Sequence, residues 1–177
     1  TEQIEILWEA GADLVMLETF SNLDELREAV LAARGIGGDE LVVVAQVTID
    51  DCGNLRDGTD TRTFTLQMDQ WPADVVGCNC SAGPKVTFET VETMMRYTKK
   101  LLSAMPNAGH PALVDGRKLY LCSPEYMAQY ARRMLSAGVR IVGGCCGITP
   151  EHIRQVRAEA RSLRPERHRH VVAVKEP

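Results

Sequence analysis

The sequence predicts an α/β fold with parallel strands, and three observations predict it. Helical and strand patterns alternate along the 177 residues. The clearest strand, "LVVVAQVTI" (41–49), is almost wholly apolar and β-branched, as a strand covered on both faces tends to be. Two later strands run into turns rich in glycine and cysteine, "VVGCNCSAGP" (75–84) and "VRIVGGCCGITP" (139–150). No phosphate-binding glycine motif accompanies them, because "GIGGDE" has the wrong spacing and follows a helix. Five βα units without that motif suit part of a (β/α)8 barrel better than a dinucleotide-binding sheet, although periodicity alone leaves both open.

The elements follow in order. "TEQIEILWEAGAD" lies in a helical pattern from its first residues, with Ile4, Leu7 and Trp8 on one face. It has no initiator methionine and reads as part of a longer chain. "ADLVMLE" (12–18) is a short apolar strand, and "NLDELREAVLAAR" (22–34) an amphipathic helix. After strand 41–49 comes a polar loop, then a weak helix near 63–70 and the strand "ADVVGCN" (73–79). "TFETVETMMRYTKKLL" places Phe88, Val91, Met95 and Leu102 on nearly one face of a helix, with "LLSAM" read as a strand before Pro106. "SPEYMAQYARRMLSAG" is bounded by Ser123 as N-cap, Pro124 in the first turn and Gly138 past the end. "VRIVGG" is a strand, and Thr149-Pro150 opens a last helix with Ile153, Val156, Ala160 and Leu163 inward. Residues 1–163 then form one domain, and 164–177 a linker or tail.

Composition narrows the function. The chain is 45% hydrophobic and 25% charged with net charge −4, which suits one soluble domain and argues against general nucleic-acid binding. Its one basic cluster, "RSLRPERHRH", reads as a solvated tail. No run has membrane-spanning length and no signal peptide is visible, so a cytoplasmic setting is expected. Six cysteines (52, 78, 80, 122, 145, 146) are too few for a disulfide scaffold of this size. The Asn79-Cys80-Ser81 triplet is read as a chance glycosylation match.

Cys145 and Cys146 are adjacent, and neighbours on a strand point to opposite faces. They can serve one site only if the strand ends there and the backbone turns, a task assigned to Gly143, Gly144 and Gly147. Strand ends in a parallel α/β fold share one rim, so Cys80 is expected beside them. Three thiols from two strand ends suit Zn²⁺ and leave its fourth position open, as in catalytic sites. Cys78 lies about 6.6 Å from Cys80 along a regular strand, whereas two sulfurs on one zinc lie about 3.7 Å apart. Cys78 is therefore read as a buried filler, with Cys52 and Cys122 as core residues. Two other readings stay open: a redox disulfide at Cys145–Cys146, though strained, and a non-catalytic structural zinc module with Cys78 as fourth ligand.

"VGCNCSAGP", "AMPNAG" and "IVGGCCGITPEHI", in this order, resemble the homocysteine S-methyltransferase family, and "GADLVMLETF" resembles that family's fourth barrel strand. The resemblance spans essentially the whole chain. It implies a zinc-dependent (β/α)8 barrel represented by strands four to eight, without the first three and their Asp-Gly segment. It places zinc on Cys80, Cys145 and Cys146. It implies methyl transfer to the thiol of homocysteine, giving methionine, with an activity that needs the complete barrel. The methyl donor stays open among S-methylmethionine, betaine and methylcobalamin. Glu18 is expected to accept the substrate ammonium group and Asn107 to contact the substrate backbone. Thr48 and Asp57 stand near the donor side, and His152 is read as surface polar. The tail resembles linkers that join such domains to a downstream methylenetetrahydrofolate reductase.

Overall fold

The computed structural model describes residues 1–163. The expected linker, 164–177, lies outside the described residues. Helix α1 (Glu2–Glu9) leads to β1 (Leu14–Phe20), α2 (Leu23–Gly37), β2 (Val42–Val47), α3 (Thr61–Asp69), β3 (Val75–Asn79), α4 (Pro84–Met94) and β4 (Leu101–Met105). A hairpin, β5 (Pro111–Val114) and β6 (Arg117–Tyr120), precedes α5 (Pro124–Ala137), β7 (Ile141–Val142) and α6 (Pro150–Ser162). The main sheet is parallel in the order β1-β2-β3-β4-β7. Strands follow chain order across the sheet, without the reversal point of a doubly wound fold.

Side chains alternate across this sheet. One face carries Val15, Leu17, Val43, Ala45, Val47, Val76, Cys78, Leu102 and Ala104 into a single core with helix residues such as Leu26, Phe64 and Met68. A fully buried side chain of that size contributes about 1.5–3 kcal/mol, so the helix-covered face holds the sheet together. The opposite face leaves Leu14, Val42 and Leu101 exposed at 45%, 40% and 38%. Higher on that face, Gln46 donates to the Ser103 hydroxyl at 2.9 Å.

Several expectations change. The helix read through Leu102 stops at Met94, and "LLSAM" is strand β4, as expected. Thr98 ends that turn by donating to Asp69 at 2.5 Å, while Leu102 packs from the strand. The strand read over 139–144 is ordered as a strand only at Ile141–Val142. The β5–β6 hairpin was not expected, although its turn, Asp115-Gly116, carries the familiar signal. Both residues have positive φ, 49° and 73°, as a type I′ turn requires. Cys52 is exposed rather than core, because the Asp50 side chain turns its loop outward by accepting from Cys52 and Asn54 N–H. His152 is 5% exposed rather than surface polar. Its Nδ1 accepts from Thr149 N–H at 3.1 Å and its Nε2 meets the Cys122 carbonyl at 2.9 Å, so it caps α6 and ties it to the start of α5.

Candidate metal centre

The sulfurs of Cys80 and Cys146 lie 3.8 Å apart, those of Cys145 and Cys146 4.0 Å, and all three within 4.8 Å. The turns that achieve this differ from the expected ones. On a regular strand Cys80 would follow Cys78 toward the helices. Instead Cys80 and Ser81 adopt left-handed φ of 62° and 54°. Cys80 N–H still pairs with the Met105 carbonyl at 3.0 Å, so the ladder to β4 continues while the thiol swings to the rim. Of the three glycines assigned to turn the second segment, only Gly147 has positive φ, 78°. Gly144 is needed for space, since a Cβ there would stand 2.4 Å from Ile148.

The segment holding the vicinal pair is pinned along its length. Gly143 N–H donates to Ala104, Cys145 N–H to Pro106, and Ala108 N–H to the Cys146 carbonyl, all between 2.9 and 3.1 Å. Asn107 is 5% exposed, and its Oδ1 accepts from Cys146 N–H at 2.9 Å. The hairpin closes one side. The Tyr120 ring lies directly on Gly147, where an added Cβ would stand 2.2 Å from its Cγ. Burial, then the neighbouring Cys146 thiol, raises the Tyr120 phenol above its ordinary range.

Burial, followed by the Cys80 and Cys146 thiols, pushes the Cys145 thiol up to about 12. Three thiolates cannot share so small a space without a counter-charge, and a divalent cation supplies one. The sulfur spacing matches one tetrahedral ion with Zn–S bonds of about 2.3 Å, so the donor set fits zinc. Cys78 takes no part. It is fully buried in the apolar core, and burial pushes its thiol up to about 12. A module with Cys78 as fourth ligand therefore lacks that ligand here.

Glu18 reaches the same rim, but not from the strand terminus. β1 continues to Phe20, and its pairing with β2 slips between Leu17 and Phe20. Thr19, in the bulge, has φ of 66°. Bulges re-aim side chains next to sites, and this one leaves the Glu18 carboxylate exposed and bonded to Asn79 Nδ2 at 3.2 Å. Asn79 is 1% exposed and also stands 4.0 Å from the Cys145 sulfur. Sequence reasoning missed Asn79, Thr19 and Tyr120; only the hairpin that carries Tyr120 had a visible signal.

Beside the cluster opens a cleft of about 450 Å³ lined by Ser21, Thr48, Asp51, Arg56, Ser81 and His110. The Thr48 and Ser81 hydroxyls meet at 2.8 Å, and His110 meets Asp51 at 2.6 Å. Asp57 stays outside it and accepts from Thr59 N–H in its own loop, which lowers its carboxyl below the usual range.

Comparison with known proteins gives the family. A family model described as homocysteine S-methyltransferase matches residues 1–160. A methionine synthase of Mycobacterium tuberculosis (strain ATCC 25618 / H37Rv) is 34% identical over 164 residues, covering 90% of this chain and 14% of that protein. One from Mycobacterium leprae (strain TN) is 32% identical over 162 residues, covering 89% and 13%. The chain thus spans a small part of these curated relatives. The apo structure of the Escherichia coli homocysteine methyltransferase MmuM superposes with TM-score 0.70 at 26% identity, over 89% of this chain and 53% of that one. Its metallated form gives 0.67 at 25% identity, over 89% and 51%.

Proposed function

Because the chain belongs to the homocysteine S-methyltransferase family, we propose that it is the C-terminal portion, residues 1–163, of a zinc-dependent barrel that methylates homocysteine to methionine. The observation that carries this reading is the meeting of Cys80, Cys145 and Cys146. The sheet supports the barrel. Its strands run in chain order, both outer strands are edges, and its far face leaves Leu14, Val42 and Leu101 exposed. Three further strands, as in a complete barrel, would cover that face and close the edges. The chain alone is proposed to be inactive for the same reason.

The three cysteines would hold the zinc. When bound, the ion lets a fourth, substrate sulfur ionise at neutral pH, where a free thiol with pKa about 8.5 is mostly protonated. The remaining work belongs to the chain. Glu18 is proposed to accept the ammonium group of homocysteine. Asn107 spends its oxygen on Cys146 N–H, and its amide nitrogen, without a partner among the described residues, is proposed to contact the substrate backbone. Thr48 and Ser81 shape the cleft next to Cys80, which is proposed to admit the small methyl donor. Methyl transfer from an activated donor to sulfur needs no acid or base at carbon, and the site needs none. The setting is proposed to be cytoplasmic, within a longer multidomain chain, as the methionine synthase relatives suggest; fusion to a methylenetetrahydrofolate reductase belongs to that proposal.

Cobalt(II) substituted into the complete barrel tests the reading. Homocysteine is expected to strengthen the sulfur-to-cobalt charge-transfer absorption. A spectrum of four protein sulfurs that homocysteine leaves unchanged contradicts it.

A further inference from the structure

We infer that Asn79 is a positioning residue that fixes the spacing between the Glu18 carboxylate and the thiol cluster, and so selects an amino-acid thiol of homocysteine length. The inference rests on the reading of Glu18 as the ammonium acceptor. Asn79 is the last residue of β3 and is 1% exposed. Its Oδ1 accepts from Thr19 N–H at 2.8 Å, which fixes the direction of the amide. The amide nitrogen therefore faces Thr19 Oγ1 at 2.8 Å, Glu18 Oε2 at 3.2 Å and Cys145 Sγ at 4.0 Å.

A purely local role would need less. Thr19 is β-branched with φ of 66°, a conformation that persists only when neighbours over-determine it. The pair of bonds between Asn79 and Thr19 meets that need. An amide nitrogen has a second hydrogen, and here it turns to Glu18, whose carboxylate has no other side-chain partner among the described residues. An exposed carboxylate samples several rotamers; this bond selects the one that meets Asn79. One buried side chain thus spans the ammonium acceptor and a metal-ligating sulfur. Homocysteine and cysteine differ by one methylene between their nitrogen and sulfur, and only a fixed span distinguishes them.

The test separates this role from support of the bulge. In the complete zinc-loaded barrel, Thr19→Gly relieves the left-handed strain, so Asn79→Ala is made in that background and compared with Thr19→Gly alone. Calorimetry reads the affinities for homocysteine and for cysteine. Loss of a hydrogen bond to a charged group is expected to weaken homocysteine binding about tenfold or more. The preference over cysteine, worth about 10- to 200-fold for one methylene, is expected to shrink with it, while zinc stoichiometry is unchanged. Asn79→Asp, which keeps the acceptor for Thr19 and loses the donors, is expected to act in the same direction and serves if the double variant does not fold. Unchanged homocysteine affinity and unchanged preference in a folded variant overturn the inference. If the unsubstituted barrel binds neither thiol, the parent reading fails and this one with it.

Discussion

Cys80 and Cys146 are 66 positions apart in sequence, yet their sulfurs lie 3.8 Å from each other. Two backbone devices bring them together. A left-handed turn at Cys80 and Ser81 lifts one thiol out of the strand's alternation. A second segment, pinned by Pro106, Asn107 and Ala108, presents the other. The site is therefore a property of the β3–β4–β7 rim as a whole.

Cys80→Ala is expected to lower zinc affinity sharply, because it removes one of the three proposed ligands. Cys78→Ala is expected to leave zinc stoichiometry intact and to cost about 1 kcal/mol of stability through the small cavity it opens. Metal analysis paired with denaturant unfolding checks both; equal zinc loss in the two variants would contradict the assignment.

Zinc uptake is expected to release protons. The Cys145 thiol, pushed up to about 12, holds its proton at neutral pH without metal and must lose it to become a ligand. Apparent affinity therefore rises with pH. Calorimetry in buffers of different ionisation enthalpy reads the proton count at pH 7.

Alkaline stability should depend on Cys78. Its thiol stays protonated in the folded state up to about 12, while the unfolded chain ionises near the ordinary value of 9.0. The stabilising share of that thiol is whole below about pH 9. It is lost as pH rises toward 12, on the order of 1 kcal/mol per pH unit. Cys78→Ala is expected to flatten the stability profile in that window, measured by urea unfolding at stepped pH.

Gly147→Ala is expected to displace the hairpin, since its Cβ would enter the Tyr120 ring and its φ of 78° is costly for alanine. Cys146, already exposed but flanked by Tyr120, should then alkylate faster in the metal-free protein. His152→Ala should instead cost about 1–2 kcal/mol through the lost cap of α6 and leave zinc stoichiometry unchanged. An alkylation time course and a thermal melt distinguish the two effects.

The sequence made much of this visible, for physical reasons. Buried parallel strands announce themselves as apolar β-branched runs, so β2 is plain. Parallel strands end on one rim, so the placement of Cys80, Cys145 and Cys146 on a shared rim follows from strand order, while the left-handed turn that aims the Cys80 thiol does not. The bulge at Glu18–Thr19 is different. Left-handed φ at a threonine or cysteine leaves no compositional mark, because the surroundings impose it. Asn79 is hidden for the same reason, as its partners lie 60 and 66 positions away. The hairpin carries its local signal at Asp115-Gly116, both with positive φ. His152 reads as surface polar because of its chemistry, yet it lies one turn before the buried Val156 and is held inward by Thr149 and the Cys122 carbonyl.

X-ray absorption at the zinc edge of the complete, metal-loaded barrel tests the central claim most directly. Three sulfur neighbours with one oxygen or nitrogen, changing to four sulfurs when homocysteine is added, is the expected result. Four sulfurs before any substrate, or three that homocysteine does not alter, would contradict it.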